Sequence, residues 1–84
     1  MDSVSPGWNL VSIGFEGQEV RIAGVSLWEV EWEPVGSSSI TVAHPSHPEQ
    51  RHQIPVYRVR HSSPEMLFAA GEFSNGVWGF YTRA

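Results

Sequence analysis

The chain has 84 residues and carries nine acidic against five basic residues, all of them arginine, which gives a formal net charge of −4. This length predicts one domain with one modest core. The absence of cysteine excludes disulfides, thiolate metal sites and cysteine nucleophiles. An acidic chain without lysine is not expected to bind nucleic acid, because phosphate contacts depend on lysine and arginine. No apolar run approaches the roughly 18 residues of a membrane span, and the first residues lack a signal-peptide pattern, so we expect a cytoplasmic protein.

Two segments near the start, residues 8–15 and 18–24, alternate between apolar and polar side chains. They flank Glu16-Gly17, a pair that suits a tight turn, so we predict a first hairpin with one buried and one solvent-exposed face. The cross-strand pairs that would face the core are Ile13 with Val20 and Val11 with Ile22.

Residues 25–33 show the cleanest alternation in the chain and predict a strand. One face would be a core face and the other an acidic ridge. The core face is Trp28, Val30 and Trp32, and the acidic ridge is Glu29, Glu31 and Glu33. Pro34 and the glycine–serine run after it predict a loop. Residues 40–43 then form a short strand that turns Ile40 and Val42 inward.

The middle of the chain, residues 44–53, has no apolar residue apart from its prolines, so it predicts a surface loop. Residues 54–60 predict a strand with imperfect alternation. Pro55 removes a hydrogen-bond donor from that strand, which favours an edge position or a bulge there.

The strongest hairpin signal is Asn75-Gly76, which lies between two apolar runs. Both central residues of a type I′ turn need positive φ, and asparagine and glycine tolerate it best. The predicted cross-strand pairs are Ser74 with Val77, Phe73 with Trp78, Gly71 with Phe80 and Ala69 with Thr82. One face would carry Phe73, Trp78 and Phe80, and the other Phe68, Val77 and Tyr81. Because both faces are apolar, we predict that this hairpin lies at the centre of the sheet.

A helical alternative exists for the first half of that hairpin. Residues 63–71 also fit a short helix, with Ser63 as its N-cap, Pro64 at its first position and Gly71 at its end. The strand is favoured because the long last strand needs a partner. A short helical turn near Pro64 that leads into the strand would satisfy both patterns.

These elements predict an all-β fold, a small antiparallel barrel or sandwich of five to seven short strands joined mostly by hairpins. The predicted domain organisation is a flexible N-terminal arm over residues 1–7, followed by a single all-β domain over residues 8–84. The pattern leaves barrel and sandwich open.

Three histidines, His44, His47 and His52, have a spacing that superficially resembles a metal-ligand run, since imidazole binds zinc, copper and nickel well. The prolines that follow His44 and His47 favour extended backbone. Three extended residues advance about 9 Å, so adjacent ligation requires a turn at Pro45-Ser46. A polar, proline-stiffened loop is the simpler interpretation, and no cofactor is expected.

Five residues are candidates for binding: Trp8, Arg51, Tyr57, Arg58 and Arg60. Arginine interleaved with aromatic side chains is enriched at protein interfaces, and an exposed tryptophan would suit a sugar or another small ligand. Charges that solvate an edge strand are the structural alternative. For the acidic ridge, we expect ion pairs with Arg58 and Arg60 on a neighbouring strand.

The sequence offers no catalytic constellation: its serines lack a nucleophile elbow, and its glycines lie in a hairpin and open no helix. We therefore expect a non-catalytic protein-interaction or binding module, which is able to self-associate through an edge strand or through complementary charges. A small-molecule or carbohydrate-binding β-domain and a metal-binding histidine loop are the alternatives.

Overall fold

The computed structural model describes residues 4–83 of the chain and confirms the predicted all-β class, with most residues in strands and one short 3-10 helix. The elements in chain order are β1 (Trp8–Phe15), β2 (Arg21–Ile22), β3 (Val25–Ser26), the 3-10 helix (Leu27–Glu29), β4 (Trp32–His44), β5 (His47–Val59), β6 (Leu67–Ser74) and β7 (Val77–Arg83). Five strands form one antiparallel sheet in the order β1-β7-β6-β5-β4, and β2 pairs with β3 separately. Within the described part of the chain, no helix is long and apolar enough to cross a membrane.

The segment before β1 reaches β4, which is the strand at the opposite edge. The Ser5 N–H donates to the Thr41 carbonyl at 2.9 Å, and the Thr41 N–H donates to the Ser5 hydroxyl at 3.0 Å. Residues 1–3 of the predicted N-terminal arm lie outside the described residues.

Each face of the sheet carries its own hydrophobic core. The first core is Val20, Ile22, Leu27, Val59, Phe68, Ala70 and Phe80, with Trp28, Trp32 and Trp78 packed against it. The second core is Ile40, Val42, Ile54, Val56, Ala69 and Tyr81, with Trp8 and Phe73 packed against it. Successive β6 residues enter opposite cores, so β6 is buried on both sides. This confirms the predicted central position of the last hairpin.

The last hairpin turns at Asn75-Gly76 as predicted, but only Gly76 has a positive φ, so the turn is not of type I′, and the register beyond it differs as well. Ser74 faces Val77 as expected, but Phe73 is an extra residue in a bulge, so that Glu72 faces Trp78. The further pairs are Gly71 with Gly79 and Ala69 with Tyr81. The predicted faces were therefore wrong: Phe68 shares a core with Phe80, and Phe73 shares one with Tyr81. β6 begins at Leu67 after a bend at residues 63–64, where a helical turn was the alternative.

The predicted first hairpin is wrong. β1 pairs with β7 instead of with the segment that follows it. Within that segment, β2 pairs with β3. This pairing turns Ser12 and Gly14 towards the side of Phe80 and Trp78, because those residues face them across the strands. Val20 and Ile22 are buried in the first core as expected, whereas Val11 and Ile13 remain exposed.

The strand predicted over residues 25–33 is also wrong. That segment contains β3, the 3-10 helix and only the start of β4. Its tryptophans still pack against the first core, and the Trp32 indole N–H donates to the Leu27 carbonyl at 2.9 Å. The predicted glycine–serine loop is an irregularity inside β4, between Pro34 and Ser39. Ile40 and Val42 are buried, as predicted.

The polar segment 44–53 is not a loop. Its residues form the end of β4, a two-residue turn at Pro45-Ser46 and the start of β5. The bulge predicted at Pro55 is not found in β5: Pro55 pairs with Ser39, and the extra residues lie in β4, between Pro34 and Ser39. The alternative of an edge position is wrong, because β5 lies between β4 and β6.

Candidate functional site

The free edge of β1 carries most of the large apolar side chains that the structure leaves exposed. The exposed fractions are 44% for Leu10, 40% for Val11, 43% for Ile13 and 62% for Phe15. An apolar row of this kind is informative because such side chains are usually covered in a folded monomer. We call Leu10, Ile13 and Phe15 the β1 edge patch.

The β1 edge patch lies on one face of the sheet because β1 contains a bulge. Leu10 faces Tyr81 on β7, Ile13 faces Gly79 and Phe15 faces Val77. These three partners alternate along β7 and so share a face. The register shifts between Leu10 and Ser12, which makes Val11 the extra residue. Without it, Leu10 would lie on the opposite face from Ile13 and Phe15.

The backbone of β1 also presents polar groups on its outer side. The Glu16 N–H donates to the Gly76 carbonyl at 3.0 Å, next to β7. Because neighbouring residues in a strand direct their N–H groups to opposite edges, the Phe15 N–H points outward, where Gln18 Oε1 accepts it at 2.7 Å. Ile13 is in phase with Phe15, so its N–H and C=O groups also point to the open edge.

The other edge of the sheet, β4, is protected. Pro34 has no N–H, and the irregularity that follows it interrupts the strand. Further along, the outward N–H and C=O groups of Thr41 are both bound by Ser5. β1 has neither proline nor a charged residue. The two edges therefore differ in their capacity to accept another strand.

A second feature is the histidine cluster, His44, His47 and His52, at the tip of the β4–β5 hairpin. The turn at Pro45-Ser46 brings the rings together: the His44 centroid lies 4.9 Å from that of His47 and 5.6 Å from that of His52. Phe73 lies against the cluster, with its ring centroid 5.1 Å from those of His44 and His52. Two imidazoles on one tetrahedral zinc would have centroids about 5 Å apart.

The ring nitrogens do not form a metal centre as they are placed. Among residues 4–83, no group of three or more histidine or acidic side chains is arranged to hold a metal ion. His44 Nδ1 accepts a hydrogen bond from the Ser46 N–H at 3.0 Å, so the proton of the neutral ring resides on Nε2, which cannot then ligate. His52 Nε2 is buried and has no hydrogen-bond partner among the described residues. Metal binding by the histidine cluster stays a prediction.

A small polar depression adjoins the cluster. Its lining is Thr41, Arg51, His52 and Gln53, and its volume is about 100 Å³. Pockets that enclose drug-sized ligands usually measure about 300–1,000 Å³. The depression is thus too small for such a ligand or for a sugar chain, and Arg51 is the only predicted binding residue that lines it.

The other predicted binding residues are dispersed. Trp8 is half-buried against the second core, and Tyr57 is half-buried on the opposite face, stacked on Phe68 with ring centroids 5.8 Å apart. Arg58 and Arg60 are engaged in ion pairs, described next. The structure therefore does not bring Trp8, Arg51, Tyr57, Arg58 and Arg60 together at one surface.

Two members of the predicted acidic ridge, Glu31 and Glu33, pair with Arg58 and Arg60 as predicted, whereas Glu29 lies in the 3-10 helix. Arg58 Nε donates to Glu33 at 2.7 Å, and Arg60 lies 3.3 Å from Glu31 and 3.8 Å from Glu33. The hydrogen bond from Arg58 lowers the pKa of the Glu33 carboxyl, and the same contact raises the pKa of Arg58. These ion pairs connect the residues around the start of β4 with those at the end of β5.

Sequence reasoning missed the β1 edge patch. Alternation in residues 11–15 indicates an apolar face, and we expected residues 18–24 to cover it. One signal was present: residues 8–15 carry no charge, which is unusual for an edge strand.

Comparison with known proteins finds no protein-family model, no curated protein and no solved structure that matches this chain.

Proposed function

We propose that this protein is a non-catalytic interaction module that binds an extended strand of a protein partner along the free edge of β1. The observation that carries the proposal is the β1 edge patch, three exposed apolar side chains in one row on an open sheet edge. Strand addition of this type obtains affinity from main-chain hydrogen bonds and specificity from alternate side chains.

The side chains support this mode of binding. Leu10, Ile13 and Phe15 share one face, so an added strand would place its own apolar side chains beside them. Cross-strand pairs of apolar and aromatic residues contribute about 0.2–1 kcal/mol each. Phe15 is the most exposed of the three and is the expected anchor, because aromatic side chains dominate interface energetics.

The main chain supports it as well. The outward N–H and C=O groups of Ile13 lie in the middle of the open edge, while β4, the opposite edge, is occupied or interrupted. An added strand would therefore bind at β1.

We also propose a cytoplasmic location, since a chain without cysteine needs no oxidising compartment to form disulfides.

Amide NMR tests the proposal. The labelled chain is titrated with a capped, extended peptide of alternating valine and threonine, about eight residues long to match β1. We expect saturable shifts at the amides of β1 and its neighbour β7. The matched control peptide has proline at alternate positions, which removes the N–H donors, and we expect it not to bind.

A pair of variants locates the site. Phe15→Lys places a charge in the β1 edge patch and should weaken peptide binding about tenfold or more. Val4→Lys places the same charge at an exposed valine outside β1, and should leave binding unchanged. Shifts that map to the histidine cluster instead, or equal effects of the two variants, would overturn the proposal.

A further inference from the structure

We infer that the partner strand is β1 of a second copy of this chain, paired antiparallel about a two-fold axis between Val11 and Ser12. The inference rests on the proposed function and names its partner. It follows from a symmetry in β1 that the bulge creates.

On the face that carries the β1 edge patch, the apolar positions of β1 read the same in both directions about that axis. In an antiparallel pair of two copies, Leu10 of one copy faces Ile13 of the other, and Ile13 faces Leu10. One step further out, Trp8 faces Phe15 and Phe15 faces Trp8. A two-fold interface requires a surface patch that is complementary to itself, and β1 meets this requirement.

The bulge places all of these side chains on the same face. Trp8 faces Arg83 and Leu10 faces Tyr81 on β7, while Ile13 faces Gly79. These partners occupy alternate positions of β7, so Trp8 and Leu10 share a face with Ile13 and Phe15. Across a strand pair, directly opposite Cβ atoms lie about 4.5–5.5 Å apart. Each copy would therefore cover the other copy's β1 edge patch.

The assembly closes as a dimer. A head-to-tail chain of copies would need β4 to accept β1, and β4 is interrupted after Pro34 and bound by Ser5 at Thr41. The contact strand carries no charge, so the net negative charge of the two copies does not meet there. Pairing of β1 with β1 uses the open edge of the five-stranded sheet in each copy, and within residues 4–83 the other edge of that sheet is interrupted or bound.

The interface is small, because the Gln18 side chain already holds the outward N–H of Phe15. Main-chain pairing is then centred on Leu10 and Ile13, and the rings of Trp8 and Phe15 flank it. Interfaces of limited area are typically weak or transient, so we expect a dissociation constant in the range of about 1–100 µM.

Sedimentation velocity with a charge swap tests the register. In wild type the average mass should rise from monomer to dimer between about 1 and 500 µM. Leu10→Lys alone and Ile13→Glu alone should each raise the dissociation constant about tenfold or more, because each puts two charges against apolar side chains.

An equimolar mixture of the two variants is the decisive sample. The lysine at position 10 of one variant then faces the glutamate at position 13 of the other, while the remaining Leu10–Ile13 pair is intact. The mixture should dimerise within about threefold of wild type. Val4→Glu is the matched control for an added surface charge and should dimerise normally.

Amide hydrogen exchange of unmodified protein provides a test that needs no variant. Exchange at Ile13 should slow as concentration rises, whereas exchange in β4 should not change. A wild-type chain that stays monomeric, an Ile13→Glu variant that still dimerises, a mixture without recovery, or growth beyond the dimer would each overturn the inference. If the chain is monomeric but the valine–threonine peptide binds β1, the proposed function stands and only the second copy is excluded.

Discussion

The ring of Phe73 lies over Gly79, in the space that a side chain at position 79 would fill. The two residues are on neighbouring strands, and the bulge in β6 turns Phe73 to this face. In the same manner, the side chain of Ile54 on β5 covers Gly71 on β6. The pair of facing glycines thus allows β5 and β6 to place large side chains flat on the sheet, beside the second core.

Gly79→Ala should destabilise the protein. The new methyl group would overlap the Phe73 ring, and overpacking of this kind costs about 1–3 kcal/mol. Chemical denaturation followed by far-UV circular dichroism measures the change. Phe73→Leu in the same background should recover part of the loss, and Ser74→Ala, an exposed change in the same hairpin, should stay within about 0.5 kcal/mol of wild type. Equal stability of wild type and Gly79→Ala would show that the ring moves freely.

Trp32→Phe should also destabilise, because the indole N–H donates to the Leu27 carbonyl in the partly buried layer over the first core. Loss of the bond and of ring volume should cost about 1–3 kcal/mol. Trp28→Phe is the matched control: its indole N–H is buried without a partner, so that change removes no hydrogen bond. Denaturant midpoints should therefore fall further for Trp32→Phe, and the reverse order would contradict this account.

The sequence predicted features whose cause is local. The hairpin turns at Asn75-Gly76 as the sequence predicted, and Gly76 has a φ of 72°, a region that glycine adopts freely. The central position of β6 follows from apolar side chains on both of its faces. The bulges at Val11 and Phe73 have no comparable signature, since one inserted residue exchanges the faces of a strand without changing its composition.

The candidate site illustrates the same limit. Alternation identifies an apolar face in β1, but it does not specify which strand pairs with β1 or what covers that face. Pairing of β1 with β7 joins the two ends of the chain, a contact that no local pattern encodes. For the histidine cluster, the sequence indicated that the rings can come together only if the chain turns at Pro45-Ser46. The structure has that turn.

Glu33→Gln should reduce stability in a pH-dependent manner. The hydrogen bond from Arg58 holds the pKa of the Glu33 carboxyl below its ordinary value of 4.5, so the folded state favours the ionised form. The resulting stabilisation is present above the ordinary carboxyl range and is lost as the pH falls through the lowered pKa. The difference in unfolding free energy between wild type and the variant should thus be larger at neutral than at acidic pH.

A series of denaturation curves from neutral to acidic pH measures that difference. Glu16→Gln is the control, because Glu16 is exposed and makes no ion pair within residues 4–83. Its difference from wild type should stay nearly flat across the series. A flat difference for Glu33→Gln would mean that the contact with Arg58 contributes nothing to stability, as many exposed ion pairs do.

The neutral ring of His44 should be almost entirely the tautomer with its proton on Nε2, because Nδ1 accepts the Ser46 N–H. Two-bond proton–nitrogen correlation spectra of the imidazoles distinguish the tautomers. His61 is exposed and serves as the reference for a ring in solvent. If zinc binds the histidine cluster through Nε2 of His44, the proton must move to Nδ1, so the Ser46 amide should shift together with the His44 ring. Zinc-dependent shifts at His47 and His52 that leave Ser46 unmoved would place the metal away from His44.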